Sequence, residues 1–348
     1  MSDEKKFDAL LVVSFGGPEG QEDVMPFLEN VLRGKNVPRE RMLEVAEHYK
    51  HFGGVSPINE QNRQLISAIE DDFKANGLDL PVYFGNRNWH PLFPDTLRQM
   101  KEDGVKCALA FFTSIYSCYS GCRQYRENIM EAQASLGEGA PEVHKLRMSF
   151  NHPSYIAASA SRVQDAIDQV PEERRDKIHF VFTAHSIPMS MAENCNYSIQ
   201  LKEICRLIME KIGNQSWDLV YQSRSGPPSQ PWLEPDVCDY LEELKANPEI
   251  KDVVLMPVGF VSDHMEVMFD LDTEAKETCE EVGINMVRAY TVGTHPEFVS
   301  MVRLLCEERM HGTEKLAIGS MPANWDVCPK DCCTYTPRRP GARPAKAE

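Results

Sequence analysis

The 348-residue sequence contains no run of about 18 or more apolar residues, the length a membrane-spanning helix needs. Residues 1–6 are charged and lead straight into a short apolar segment, so no secretory leader is expected and the chain is expected in the cytoplasm. Positive charge is in short supply: 37 Lys and Arg stand against 53 Asp and Glu, a formal charge of −16. That balance excludes a general nucleic-acid binder, whose affinity rests on basic groups facing phosphate. It also opposes an anionic membrane, leaving only weak peripheral contact open. Gly16-Gly17-Pro18 lacks the spacing of a phosphate-binding loop, carries no Lys-Ser/Thr, and is followed by Glu19, which repels phosphate. Neither a low-complexity linker nor a close internal repeat is present, so the two halves should pack directly and any symmetry lies in the fold.

What is present suits a folded α/β chain. With 42% hydrophobic and 26% charged residues, the chain can bury real cores, and its length suits two domains. Short β-rich runs at 9–14, 82–85, 106–113, 143–149, 179–183, 218–222, 252–261 and 284–290 are separated by amphipathic helical stretches. Leu10-Leu11-Val12-Val13 and Val253-Val254-Leu255-Met256 are apolar on both faces, as strands of a parallel sheet covered by helices on both sides require. The expected architecture is two Rossmann-like α/β domains, each a four-stranded parallel sheet flanked by helices. They would span 1–150 and 151–312, with the last helix free to pack back on the first domain. A Cys-, Pro- and Arg-rich tail covers 313–348, with 337–348 expected to be disordered.

In open α/β sheets ligands bind beyond the carboxyl ends of the strands. Gly, His, Arg, Ser, Trp and Glu gather at those positions here. His185 follows an apolar run and can act as general base or metal ligand, or simply bond a nearby backbone carbonyl. Glu266, Asp270 and Glu274 share one face if a helix starts near Glu266, which suits guiding a divalent cation or, equally, a solvated acidic face. Arg87 can hold a carboxylate. Of the eleven cysteines, Cys107, Cys195, Cys205, Cys238, Cys279 and Cys306 are scattered and read as small apolar residues. Cys118 and Cys122 form one group and Cys328, Cys332 and Cys333 another; clustered thiols in an irregular tail read as a soft-metal site.

Taken together, Phe15-Gly16-Gly17-Pro18, Gly53-Gly54-Val55-Ser56-Pro57-Ile58, Phe182-Thr183-Ala184-His185-Ser186-Ile187-Pro188, Gln222-Ser223, Pro231-Trp232-Leu233-Glu234-Pro235 and the segment from Pro257 to Glu266 resemble ferrochelatases. The resemblance runs over about residues 7–312 and is nearest to the bacterial coproporphyrin III branch, through Tyr119-Ser120-Gly121-Cys122-Arg123-Gln124-Tyr125. It implies a lyase-type enzyme of haem biosynthesis that inserts Fe²⁺ into a porphyrin held between two Rossmann-like domains. The porphyrin would be coproporphyrin III or, alternatively, protoporphyrin IX. It implies His185 and Glu266 as catalytic and Fe²⁺-binding residues, and Asp270 and Glu274 as the metal path. Porphyrin contacts would come from Ser56, Tyr125, Phe15, Arg87 and Trp232, with Arg33 and Arg123 as further propionate partners. Phe15 stands where some relatives have a Tyr able to ligate iron, and a phenyl ring cannot do so. A [2Fe–2S] cluster is implied on Cys122, Cys328, Cys332 and Cys333, with Cys118 a rival for Cys122 and Zn²⁺ a rival for the cluster. Contact with neighbouring haem-pathway enzymes stays open. So do a chelatase of another metal, a non-catalytic haem carrier or iron sensor, and a scaffold whose tail cysteines dock partners.

Overall fold

The computed structural model describes residues 7–34, 37–214 and 216–336. The segment 337–348, expected to be disordered, lies outside the described residues. Two four-stranded parallel sheets carry the chain, in the orders β2-β1-β3-β4 and β6-β5-β7-β8. The strands are β1 (Ala9–Ser14), β2 (Val82–Asn86), β3 (Cys107–Phe112), β4 (Glu142–Lys145), β5 (His179–His185), β6 (Trp217–Gln222), β7 (Asp252–Met256) and β8 (Asn285–Arg288). The two orders are the same pattern, so the halves share a topology that no sequence repeat announces. β1, β3 and β7 are buried along their whole length, as their unbroken apolar runs require of inner strands covered on both faces.

Most of the strands end one or more residues from their expected limits, and three of the differences have a visible cause. The run expected to reach Val261 stops at Met256, because Pro257 cannot continue the ladder. The run expected to reach Ser149 stops at Lys145; Leu146 still donates to the Ala110 carbonyl, but beyond it the side chains of Arg147 and Asn151 turn to the tail. The run expected to end at Thr183 continues to His185, pairing with β6 through Gln222.

Helices fill the connections: α1 (Gln21–Val31), α2 (Arg39–His51), α3 (Ile58–Ala75), α4 (Phe93–Glu102), α5 (Gln124–Leu136), α6 (Pro153–Ile167), α7 (Met189–Ala192), α8 (Tyr197–Ile212), α9 (Val237–Leu244), α10 (Met265–Val267), α11 (Lys276–Val282) and α12 (Pro296–His311). Two π-helical stretches, Tyr119–Arg123 and Met268–Ala275, run directly into α5 and α11. The last helix, α12, packs on both α6 and α3, and its Arg303 pairs with Asp72 of α3 at 2.8 Å.

The tail from 313 to 336 forms no helix or strand and is held by side chains of the body. Arg147 and Glu308 form a bidentate pair at 2.8 and 2.9 Å with both side chains almost wholly buried. Each then takes one backbone group of Leu316: Arg147 donates to its carbonyl at 2.7 Å and Glu308 accepts its N–H at 3.0 Å. Farther along, Asn151 donates to Met321, Glu203 accepts from Ser320, and Lys145 donates to Trp325. Breaking a buried pair by removing one partner strands the other charge. Glu308→Ala should therefore lower unfolding free energy by about 3–5 kcal/mol, while Arg147→Met with Glu308→Leu should recover most of it. Urea denaturation of the three proteins checks this, and an unchanged midpoint for Glu308→Ala refutes it.

Candidate active site

In each sheet the chain first steps to one side of its opening strand and then crosses to the other. The crevice of such a sheet opens at that reversal, beyond the carboxyl ends of the two central strands. In the second sheet those strands are β5, which ends in His185, and β7, whose following segment leads to Glu266. Two contacts bring the β7 loop close. The Gly259 N–H donates to the Thr183 carbonyl at 3.0 Å. A Cβ on Gly259 would lie 2.6 Å from the Ala184 Cβ and 2.7 Å from its Cα, so a side chain there would force the loop off β5. The hydroxyls of Tyr116 and Tyr155 both donate to the Val258 carbonyl, at 2.7 and 3.1 Å. Gln61 of α3 donates to the Asp263 carbonyl at 3.0 Å. The Asp263 carboxylate is occupied by Arg288 at 2.5 Å and by the N–H and hydroxyl of Thr291. It is an anchor for the loop rather than a free acid.

His185 ends β5 and is half-buried. Its Nδ1 lies 2.5 Å from the Ser186 carbonyl. A carbonyl only accepts, which assigns the proton of a neutral ring to Nδ1 and leaves the Nε2 lone pair for a proton or a metal. The bland sequence reading, a histidine bonded to a backbone carbonyl, and the functional one are thus compatible: one nitrogen does each. His264, which sequence reasoning quoted only as part of a motif, shares this environment. Its pKa is lowered, first by burial and then by His185, with Glu266 opposing. The negative charge of Glu266 also reaches Tyr49 of α2, whose hydroxyl pKa is raised mainly by burial and further by that carboxylate.

Asp270 lies in the π-helical stretch. Glu266 lies just before that stretch and Glu274 within it, and both are close enough for their charges to act on Asp270. The expected helix is present, but its winding was not foreseen. Burial first, then Glu266 and Glu274, pushes the Asp270 pKa up to about 7, while hydrogen bonds from Ser223 and Gln222 pull the other way. Glu274 is raised too, by burial and then by Asp236 and Glu277.

The remaining predicted residues are dispersed. Phe15 packs edge-on against Phe27 in a cluster that also holds Tyr49, Trp89, Met265 and Phe269, so α1 and α2 lean over the start of the π stretch. Ser56 is buried beneath the Gly16-Gly17 turn, where a Cβ on Gly17 would come within 2.7 Å of its Cβ. Tyr125 is buried between Phe93 and Phe112, and neighbouring Arg87 donates to Asn128 at 2.9 Å. Trp232 pairs with Pro188, behind the turn that follows His185. Arg33 bonds Asn30 on the surface. Arg123 bonds Glu127 and the Cys332 carbonyl of the tail, not the strand-end residues.

The four cluster cysteines come together. The Cys122 thiol donates to Cys328, which is the first cause of a lowered Cys328 pKa, with Lys145 and Arg126 adding to it. Cys332 and Cys333 sulfurs lie 3.4 Å apart, beside a cavity of about 270 Å³ that Cys328, Lys145, Cys195 and Trp325 also line. Three of the four thiols line that cavity with Lys145 and Asp331; Cys328 alone is drawn toward thiolate, while burial pushes the Cys332 and Cys333 thiols up, and four thiols so gathered are a donor set for a soft metal. The Cys118 sulfur instead accepts the Gly121 N–H at 3.1 Å, capping the first π stretch. No two cysteines are disulfide-bonded. Among the described residues, Cys107, Glu142 and His144 also place potential ligand atoms within 4.8 Å of one another, at the opposite end of the first sheet from its ligand-binding edge.

The ferrochelatase family model matches residues 7–310. A protein named ferrochelatase from Rhodopirellula baltica is 63% identical over 352 residues, with 100% of both chains covered. A coproporphyrin III ferrochelatase from Streptomyces coelicolor is 48% identical, over 98% of this chain and 96% of its own. Among solved structures, SirB from Bacillus subtilis with Fe³⁺ has a TM-score of 0.53 at 12% identity, over 88% of this chain and 97% of that one; that likeness is one of fold.

The raised Asp270 pKa has a consequence for stability. Between its ordinary value of 3.8 and about 7, the native state holds a proton that the unfolded state has lost. The stability this gives is full below the lower value and is lost as pH rises through the upper one. Asp270→Asn cannot ionise, so its melting midpoint should gain on the wild type as pH rises through that window. Parallel melting curves across the whole range would contradict the assignment.

Proposed function

The chain belongs to the ferrochelatase family and inserts Fe²⁺ into a porphyrin in haem synthesis, and we propose that this porphyrin is coproporphyrin III. The observation that carries the choice is the full-length likeness to proteins named coproporphyrin III ferrochelatase. We infer further that the enzyme works in the cytoplasm, a compartment that keeps thiols reduced and so suits eleven free cysteines. Among the described residues no helix is long and apolar enough to cross a membrane.

Iron insertion needs a puckered porphyrin, loss of two pyrrole protons and removal of water from Fe²⁺. A cleft fixed on both sides can spend binding energy on the puckering. In our reading the Nε2 of His185 receives a pyrrole proton or meets the iron, and Glu266 stabilises the imidazolium that protonation creates. Asp270 and Glu274 lead the cation inward. Their support is electrostatic: crowded, buried carboxylates hold protons to unusually high pH, and a divalent cation relieves the same crowding. Ser56, Tyr125, Phe15, Arg87 and Trp232 are the proposed porphyrin contacts.

We assign the tail thiols to a [2Fe–2S] cluster on Cys122, Cys328, Cys332 and Cys333. The donor set fits: four thiols, with Cys122 beside Cys328, Cys332 next to Cys333, and Lys145 and Arg126 near Cys328 to offset thiolate charge. Bound there, the cluster would supply a cross-link between the tail and the first π stretch.

Anaerobic Fe²⁺ insertion tests the main reading. Coproporphyrin III should be metallated faster than protoporphyrin IX, and the reverse order overturns the substrate choice. His185→Ala should lose about 10²- to 10⁴-fold in rate while still binding porphyrin; wild-type turnover would remove His185 from the mechanism. For the tail, anaerobically purified protein should show the visible absorption of an iron–sulfur cluster, and Cys328→Ser should lose it. A colourless protein carrying one zinc per chain would replace the cluster with zinc.

A further inference from the structure

β6 ends at a corner that the mechanism above leaves unused. Ser223, the residue after Gln222, has φ +60; among the described residues only Cys333 shares a positive φ without being glycine. A side chain in that region costs about 1–3 kcal/mol and persists where surrounding contacts enforce it. Here the left-handed corner turns the Ser223 hydroxyl onto Oδ2 of Asp270. The Gln222 side chain donates to the same oxygen at 3.0 Å. Both donors fall on one carboxylate oxygen, which leaves Oδ1 for another partner.

Gln222 is tied equally firmly to the His185 strand. It pairs with His185 in the β5–β6 ladder, and its carbonyl accepts the Ser186 N–H at 2.8 Å. Its side-chain oxygen accepts the Thr183 hydroxyl, also at 2.8 Å. Thr183 and Gln222 are both fully buried, so their rotamers are fixed by packing as well as by these bonds. One dipeptide therefore links the backbone beside His185 to the carboxylate of Asp270.

We propose that Gln222 and Ser223 are positioning residues for iron delivery, which hold the Asp270 carboxylate with Oδ1 facing the incoming cation and in register with His185. This rests on the reading of Asp270 as a waypoint for Fe²⁺. A carboxylate free to rotate would present either oxygen, or neither, and would bind the passing cation less well; the porphyrin side of the site would not sense the change.

The test is steady-state iron insertion by the full-length enzyme, with Fe²⁺ and coproporphyrin III varied separately. Ser223→Ala keeps the corner but removes the donor. Ser223→Gly removes the donor and relieves the backbone. Ser223→Asn restores a donor in a residue that tolerates this φ. Ala and Gly variants should raise the KM for Fe²⁺ by about tenfold, the size of one lost hydrogen bond to a charged group. That rise should exceed any fall in kcat, with the KM for porphyrin at its wild-type value. Asn should recover most of the loss. Asp270→Asn separates the two readings. If it raises the KM for Fe²⁺ while Ser223→Ala and Gln222→Leu do not, the positioning role is wrong and the waypoint stands. If Asp270→Asn itself leaves that KM unchanged, the waypoint is wrong and the positioning role falls with it. A porphyrin KM that rises with the iron KM in the Ser223→Ala protein would mean general loosening of the site and also overturns the proposal.

Discussion

The site depends on an absence of atoms at Gly259. The β7 loop crosses the end of β5 so closely that a single methyl group would overlap Ala184, the residue before His185. Everything after that crossing is placed relative to β5 because of it: Asp263, locked by Arg288 and Thr291, then His264, then Glu266 at the head of the π stretch. Two buried tyrosine hydroxyls hold the same loop by the Val258 carbonyl, and Tyr116 follows β3 of the first sheet. The second half's candidate catalytic loop is thus fixed in part by the first half.

Negative charge is distributed unevenly in its consequences. Many carboxylates are paired on the surface or spent as anchors, as Asp263 and Glu308 are. Asp270 and Glu274 are in no ion pair among the described residues, and burial first, then neighbouring carboxylates, raises their proton affinity.

The tail is secured twice over by different chemistry. From 313 to 325 its backbone is bonded by buried or half-buried polar side chains of the body, with the Arg147–Glu308 pair at the root. From 328 on, the sulfur atoms meet Cys122. The first attachment needs no metal, so the cysteines are delivered to one place by ordinary hydrogen bonds before any cluster chemistry is considered.

Much was legible from local pattern. All eight strands stand within the expected β-rich runs, most plainly β1, β3 and β7, where burial on both faces leaves no alternation to misread, and the strand-end residues follow directly. The motifs of the ferrochelatase resemblance sufficed to name the family. Strand ends were less legible at Met256 and Lys145, where a proline and a competing tail, rather than propensity, stop the ladder. What the linear pattern could not contain was adjacency. That Ser223 adopts a left-handed corner and meets Asp270, 47 residues away, follows from neither residue's neighbours in sequence. Nor does the partnership of Cys122 with Cys328, which depends on Arg123, Lys145, Arg147 and Asn151 holding a segment with no secondary structure of its own. Residue type and period set the elements, because they act over a few residues. The meeting of distant side chains was decided only when two sheets, one glycine contact and a bonded tail fixed the chain in three dimensions.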